Sequence, residues 1–305
     1  MAAARGVFGF GTKCGRHRIR ACLAVAQHSR VPKLLECLTK EFGYGECYNW
    51  LVNQTDRFYV SPNKLKIWIE CPRKYWHYYL HEPTKYQEPP RPYYTLGEAV
   101  HNTLNSFFSL VPQIRTRERL FDQLELHWNA AKNQQGGFKD SQEEKGYKER
   151  AINMLENFYK KENTTVVPFK LSPSSTKYFP LNETVMLGGI IDRIDLEPDG
   201  TLHIIDYKTG KEDRDDPYQL PMYAILAKEW LKKNVSKLSY LHLESGNWSS
   251  QESDEKKEQE TKRFVIETVD KIPRQLVKDY FVCSLGPACP HCDYLRELGI
   301  EPILD

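Results

Sequence analysis

The sequence predicts an α/β fold, a central mixed β-sheet flanked by helices, on three observations. Up to residue 162 the apolar residues recur with helical spacing. From residue 164 onward they gather into short runs of the kind that become strands. Two of these runs, Gly188-Gly189-Ile190-Ile191-Asp192-Arg193-Ile194-Asp195 and Ile204-Ile205-Asp206-Tyr207-Lys208-Thr209-Gly210, are separated by Pro198-Asp199-Gly200, a hairpin turn signal. A helix and a further strand follow, and the order helices, hairpin, helix, strand suits a mixed sheet covered by helices.

Residues 1–58 are expected to form a basic, poorly ordered leader. The first 35 residues contain no Asp or Glu and carry Arg5, Lys13, Arg16, Arg18, Arg20, Arg30 and Lys33. That composition fits an organelle transit peptide; an unstructured leader or a misassigned start codon has the same appearance. Residues 59–305 are expected to be one domain. Ser61-Pro62 supplies a cap and a first-turn proline for a helix carrying Leu65, Trp68 and Ile69, which Cys71-Pro72 interrupts or kinks. Arg73-Lys74-Tyr75-Trp76-His77-Tyr78-Tyr79 continues as a basic, aromatic segment. Val100, Leu104, Phe107 and Phe108 mark a helical face over 97–110, and further helices are expected near 115–133 and 143–162, the second with Ile152, Leu155 and Phe158.

Val166–Leu171 and Thr176–Leu181 read as strands, followed by the hairpin and by a helix over 217–232. Lys237–Leu243 alternates as a strand. The charged stretch 249–262 reads as a loop or hairpin tip, Phe264–Glu267 as a returning strand, and residues 268–281 as a last helix. No internal repeat is present.

A three-residue loop at Pro198-Asp199-Gly200 places Asp192 directly opposite Asp206, with their Cβ atoms about 5 Å apart and Lys208 on the same face. Two like charges so placed destabilise a hairpin unless a cation lies between them, and a divalent metal ion is the natural candidate. Solvation of both acids, or neutralisation by Lys208 or Arg193, is the alternative. The neighbouring Gly-Gly-Ile-Ile and His-Ile-Ile runs argue for cover on at least one face.

Asp192 followed by Asp206-Tyr207-Lys208 resembles the D…(D/E)-x-K core of the PD-(D/E)xK nuclease superfamily. Gln219-Leu-Pro-Met-Tyr223 resembles the Q-x-x-x-Y motif of its RecB-like branch, and Gly97-Glu98-Ala99-Val100-His101 resembles the G-x-x-x-H start of that branch's first helix. These elements span roughly Ser61 to Cys292. The resemblance implies a restriction-endonuclease-like core and a Mg²⁺ or Mn²⁺ site, with Asp192 and Asp206 as main ligands and the Tyr207 carbonyl beside them. Lys208 would orient the attacking water and stabilise developing negative charge. His101 would be a further ligand, although a lone His beside an apolar helical stripe is more often structural. Gln219 and Tyr223, four apart on a helix, would contact the DNA backbone and steady the lysine.

The chain has eight cysteines and no convincing secretory signal, which favours metal or catalytic use over disulfides. Cys14, Cys22, Cys37 and Cys47 lack ligand-like spacing. Cys71, Cys283, Cys289 and Cys292 resemble the iron–sulfur staple of AddB-type nucleases, in which a [4Fe–4S] cluster joins the N- and C-terminal ends of the nuclease domain. The usual last ligand would stand at position 298, where this chain has Leu298. A cluster with rearranged ligation, a Cys₃His or Cys₄ Zn²⁺ site using His291 or Cys71, and a site reduced to buried thiols all stay open.

Net charge is only +2, so nucleic-acid affinity must come from local patches, of which Arg73, Lys74, Tyr75 and Trp76 are the candidate. No apolar run approaches the roughly 20 residues of a membrane span. No G-x-x-x-x-G-K-[ST] motif occurs, so unwinding would need a separate helicase as partner. The expected activity is a metal-dependent DNA nuclease of repair, recombination or processing, a hydrolase acting as an exonuclease on single-stranded ends or flaps. Its expected setting is intracellular, in the cytoplasm or nucleoid or in a DNA-containing organelle. A catalytically silent nucleic-acid-binding module and a structural zinc protein are the rivals.

Overall fold

The computed structural model describes residues 57–80, 90–134, 136–171, 176–210, 216–272, 281–283, 285 and 289–292; the basic leader, the expected helix beyond residue 272 and Leu298 lie outside them. Strand β1 (Phe58–Val60) leads into helix α1 (Pro62–Glu70) at the expected place. Lys64 N–H donates to Ser61 Oγ at 3.3 Å, and Pro62 fills the first turn, where its missing N–H costs nothing. Leu65 and Ile67 are buried, whereas Ile69 is exposed, so the inward stripe differs from the expected set. Cys71 ends α1, and its Sγ accepts Lys74 N–H to cap α2 (Pro72–Tyr75), which runs on as a π-helical turn to Leu80.

Helices α3 (Pro92–Ser109), α4 (Arg117–Gln134) and α5 (Ser141–Lys161) form one layer. Leu96, Val100, Leu104, Phe107 and Phe108 of α3 pack with Leu120, Leu124 and Trp128 of α4 and Leu155 and Phe158 of α5. This layer rests on Ile205, Tyr207, Leu241 and Leu243 from one face of a five-stranded sheet. The sheet contains β2 (Lys170–Leu171), β5 (Arg193–Leu196), β6 (Leu202–Lys208), β7 (Val235–His242) and β8 (Asn247–Glu252), in the order β2-β5-β6-β7-β8. Only β6 and β7 run parallel, joined by α6 (Gln219–Leu231) on the opposite face, so the sheet is mixed. A second sheet of β1, β4 (Val185–Gly189) and β3 (Lys177–Pro180), in the order β1-β4-β3, shares the core under α6. Val185 and Leu187 there meet Leu220, Met222 and Leu226 of α6 and Val265 and Val269 of α7 (Glu255–Asp270).

Four expectations are corrected. The stretch 249–262 is not a loop: β8 runs to Glu252, and Asp254 caps α7 by accepting Lys257 N–H at 2.6 Å. Its charges are the solvated face of a helix whose inward set is Thr261, Val265, Thr268 and Val269, so Phe264–Glu267 is helical as well. A short apolar run cannot by itself separate buried helix from strand. Only Lys170–Leu171 of the expected strand at 166–171 forms, because Arg115 Nη1 takes the carbonyls of Thr164 and Val166 at 2.8 and 2.6 Å. Strand β7 is buried continuously from Leu238 to His242 rather than alternating, as expected for a strand covered on both faces. No described helix is long and apolar enough to cross a membrane.

Candidate active site

The hairpin turn sets the geometry. Gly200 has φ +83°, its N–H donates to Glu197 O at 2.9 Å, and Glu197 N–H donates to Thr201 O at 2.9 Å. A side chain at Gly200 would strain this left-handed position. Leu196 then pairs with Leu202 and Arg193 with Ile205, where the ladder ends, and Asp192 and Asp206 are the next residues beyond that last pair. Asp192 lies where the chain passes from β4 to β5. Its Oδ2 accepts Tyr207 N–H at 2.9 Å, and its Oδ1 is 3.1 Å from His101 Nδ1 on α3. The Tyr207 ring lies in the other core, beside Phe158, so Tyr207 reaches the acids through its backbone.

Asp206 is buried and held on both oxygens. Lys208 Nζ is 2.7 Å from Oδ2, and Gln219 Nε2 donates to Oδ1 at 3.0 Å. The Gln219 amide also accepts Lys208 Nζ at its Oε1 (2.6 Å) and donates from Nε2 to Tyr223 Oη at 3.3 Å. One side chain at the start of α6 thus bridges the acid and the lysine, with its carbonyl toward the cation and its amine toward the carboxylate. His101, Asp192, Asp206, Tyr207, Lys208, Gln219 and Tyr223 are therefore linked by contacts into one site.

The electrostatics leave room for another cation. Burial, and then the Asp192 charge, push the Asp206 carboxyl up to about 6 despite Lys208. Burial opposes protonation of His101, but the Asp192 carboxylate against Nδ1 outweighs it and raises the imidazole above its usual range. Arg193 does not neutralise the acids: its Nε donates to Asp195 at 2.8 Å and its guanidinium lies 4.4 Å from the Phe108 ring centroid. Two carboxylates with an imidazole beside them are a donor set that suits Mg²⁺ or Mn²⁺.

Tyr240 was not legible as a site residue. It is the ladder partner of Asp206 on β7, its ring centroid is 4.5 Å from Lys208 Nζ, and its hydroxyl donates to Asp216 O at 2.8 Å, just ahead of α6. A parallel partner across a crossover helix has no local sequence signal.

The expected nucleic-acid patch is corrected. Arg73, Tyr75 and Trp76 are buried, with the Arg73 guanidinium 5.9 Å from the Trp76 centroid, and only Lys74 is half-buried. Helical geometry turns these side chains into the protein, where Tyr75 and Trp76 pack toward Trp68 and Phe281. Arg73, Tyr75 and Trp76 therefore do not form an exposed basic and aromatic surface.

Cys71, Cys283, Cys289 and Cys292 converge: all four are buried and unbridged, and their Sγ atoms lie within 4.8 Å of one another. Burial pushes the Cys71 thiol up to about 12, and the Cys292 thiol is raised as well, foremost by burial; a bound cation reverses that preference. His291 packs against the rings of Tyr78 and His77. Cys14, Cys22, Cys37 and Cys47 lie outside the described residues.

Residues 59–296 match the sequence profile of the PD-(D/E)XK nuclease superfamily. No curated protein matches the chain. Among solved structures, one from Eubacterium rectale whose exonuclease name is itself provisional is 13% identical, with 78% of this chain and 89% of that chain covered and a TM-score of 0.49.

Proposed function

The chain belongs to the PD-(D/E)XK nuclease superfamily, whose members are phosphodiesterases, and from that premise we propose that it is a metal-dependent DNA exonuclease acting on single-stranded ends or flaps. Repair, recombination or processing of DNA is the role we assign to it, with residues 59–305 as its nuclease domain. The observation that carries the proposal is the contact chain from His101 through Asp192 and from Asp206 through Gln219 to Lys208. A module that only binds nucleic acid gains nothing from a buried carboxyl pushed up to about 6 by burial and a second acid.

Asp192 and Asp206 would hold a Mg²⁺ or Mn²⁺ ion, with His101 and the Tyr207 carbonyl beside them. The ion would supply Lewis acidity and charge neutralisation at the scissile phosphate. The remaining work belongs to the chain. Lys208, fixed by Asp206 and Gln219, would orient the attacking water and meet negative charge as it develops on the phosphoryl group. Gln219 would hold the lysine against Asp206, since it occupies one hydrogen-bonding position on each beside their direct ion pair. Tyr223 would anchor the amide from one helical turn further along.

The four thiols would hold a second metal centre that ties Cys71, near the start of the described chain, to its end. A rearranged [4Fe–4S] cluster follows from the resemblance to the RecB-like and AddB-type branch. Zn²⁺ is the second reading, since four buried, convergent thiols are a donor set that suits it as well.

The test is incubation of anaerobically purified protein with end-labelled single- and double-stranded DNA in Mg²⁺, Mn²⁺ or EDTA. Metal-dependent release of short products from single-stranded ends is expected. Asp206→Ala, Asp192→Asn and Lys208→Ala should each lower the rate at least 100-fold with the fold intact. Retained metal-dependent cleavage in Asp206→Ala would sink the assignment.

A further inference from the structure

Gly188 and Gly189 close β4 and are glycines for want of space, not for conformation. Neither has a positive φ, so the backbone there is open to any residue. What covers each is a tyrosine ring, and the two rings come from opposite faces of the strand. A Cβ at Gly188 would lie 2.2 and 2.3 Å from Cε1 and Cδ1 of Tyr178, its ladder partner on β3. A Cβ at Gly189 would lie 2.9 Å from Cε1 of Tyr223 on α6 and 3.3 Å from Cδ2 of Leu226. Val185, Leu187 and Gly189 thus alternate toward α6, two with side chains in the core and the last with none.

Tyr223 is the ring that reaches the acids. Its hydroxyl accepts Gln219 Nε2 at 3.3 Å, the same Nε2 donates to Asp206 Oδ1 at 3.0 Å, and Gln219 Oε1 accepts Lys208 Nζ at 2.6 Å. The phenol engages the second donor of the amide, which keeps the amine toward the acid and the carbonyl toward the lysine. Where the phenol stands depends on how deep its ring lies against β4, and the bare backbone at Gly189 sets that depth. Leu226 can turn its Cδ2 aside. The Tyr223 ring is rigid, and its Cε1 is bonded to Cζ, the atom that carries the hydroxyl. Carbon–carbon contact is optimal at about 3.5–4.0 Å, so a methyl at Gly189 would move the ring roughly 0.6 Å or more, and the hydroxyl with it. A hydrogen bond of 3.3 Å has little room to lengthen.

We propose that Gly189 is a positioning residue of the site: by leaving β4 bare beneath Tyr223, it fixes the phenol against Gln219 and, through Gln219, the lysine against Asp206. It touches no reacting atom. The proposal rests on the nuclease function proposed above and goes beyond it, extending the machinery to a residue without a functional group, three positions before Asp192. Gly188 supplies a control of the same size on the neighbouring residue, because the ring that covers it belongs to Tyr178.

The test combines steady-state cleavage of a labelled single strand in Mn²⁺ with NMR of protein carrying isotope-labelled glutamine, in which the Gln219 side-chain amide is identified by its loss in Gln219→Ala. Gly189→Ala should lower kcat about 2- to 12-fold, the range of one lost hydrogen bond, leave KM unchanged and shift the Gln219 amide signals. Tyr223→Phe, which removes the hydroxyl and keeps the ring, should do the same. Gly189→Ala added to Tyr223→Phe should cost no further kcat, because the bond it disturbs is already absent. Gly188→Ala should lower Tm and leave kcat and the Gln219 signals as in wild type. Wild-type kcat in Tyr223→Phe, losses that multiply in the double variant, or an equal loss in Gly188→Ala would overturn the proposal. If Gly189→Ala alone does not fold, Tyr223→Leu should restore it by clearing the ring, and failure to do so would overturn the proposal as well. The amide signals separate the two claims. Wild-type protein that does not cleave, with Gln219 signals that move in Gly189→Ala and not in Gly188→Ala, overturns the nuclease function and supports the positioning of Gln219; protein that cleaves, with those signals unmoved in Gly189→Ala, overturns the positioning alone.

Discussion

Lys208 and Tyr240 form a cation–π pair at the junction of β6 and β7: Nζ stands 4.5 Å from the ring centroid while it also contacts Asp206 and Gln219. The ring packs against the lysine beside its two polar partners, and the phenol hydroxyl ties it to Asp216 O at the entrance to α6. Tyr240 thus acts on the proposed chemistry through Lys208, as a positioning residue.

Replacing the ring should therefore slow turnover without weakening DNA binding. Tyr240→Leu is expected to lower kcat about 2- to 30-fold, the range of a partly desolvated cation–π contact, with KM unchanged. Tyr240→Phe keeps the ring and should stay closer to wild type. Steady-state kinetics on a labelled single strand checks both; a leucine variant with wild-type kcat would show that Asp206 and Gln219 alone hold the lysine.

The acid pair carries a pH signature. In protein without metal, the Asp206 carboxyl titrates near 6, above its ordinary range near 3.9, because burial and Asp192 disfavour its charge. A raised acid contributes stability that is fully present below the ordinary value and is lost as pH rises through 6, an effect of about 3 kcal/mol at most. Through Asp206, metal-free protein should accordingly be less stable at pH 7.5 than at pH 4. Asp206→Asn should remove part of that difference. A divalent ion binds the ionised form, so the rise in Tm on adding Mn²⁺ should be small at pH 5 and large at pH 7.5. Thermal melts with and without metal at the two pH values test this, and an equal rise at both would separate metal binding from Asp206 ionisation.

The parts of this site that were legible in the sequence are those fixed locally. Pro198-Asp199-Gly200 dictates a three-residue loop, the loop dictates the register, and the register runs to Arg193 and Ile205, the residues next to Asp192 and Asp206. Ser61-Pro62 likewise fixes the start of α1. What escaped depends on distant partners. Tyr240 meets Lys208 only through the parallel pairing of β6 with β7, the carbonyls of Thr164 and Val166 leave the strand for Arg115, and the charges of 255–262 read as a loop until the core behind Val265 and Val269 makes them a helical face. Arg73, Tyr75 and Trp76 show the same limit, since a basic and aromatic run reads as surface in one dimension and these three are interior in three.

Arg73 should behave as a structural residue. Its side chain is fully buried above the Trp76 ring, so Arg73→Ala removes packing and leaves a gap beside Trp76. A loss of about 2–4 kcal/mol in stability is expected, within the range of large-to-small changes in a core. The slope of DNA affinity against salt should be unchanged, because no phosphate contact is lost. Chemical denaturation paired with a salt titration of binding decides it: a stable variant with a slope lowered by about one would return Arg73 to the DNA surface.

The thiol centre can be read by its colour and its metal. Four buried sulfurs lie within 4.8 Å of one another, and Cys71, raised to about 12 chiefly by burial, holds its proton until a cation draws it off. Cys289→Ala and Cys292→Ala should each lower Tm by several degrees, because either removes a ligand that ties the end of the described chain to Cys71 at the break between α1 and α2. Anaerobically isolated protein with an iron–sulfur cluster will be brown, with a broad visible band that both variants bleach. Colourless protein holding one zinc and no iron per chain would give the site to Zn²⁺. Protein that binds neither metal, with both variants melting as wild type, would leave four thiols that merely share a core.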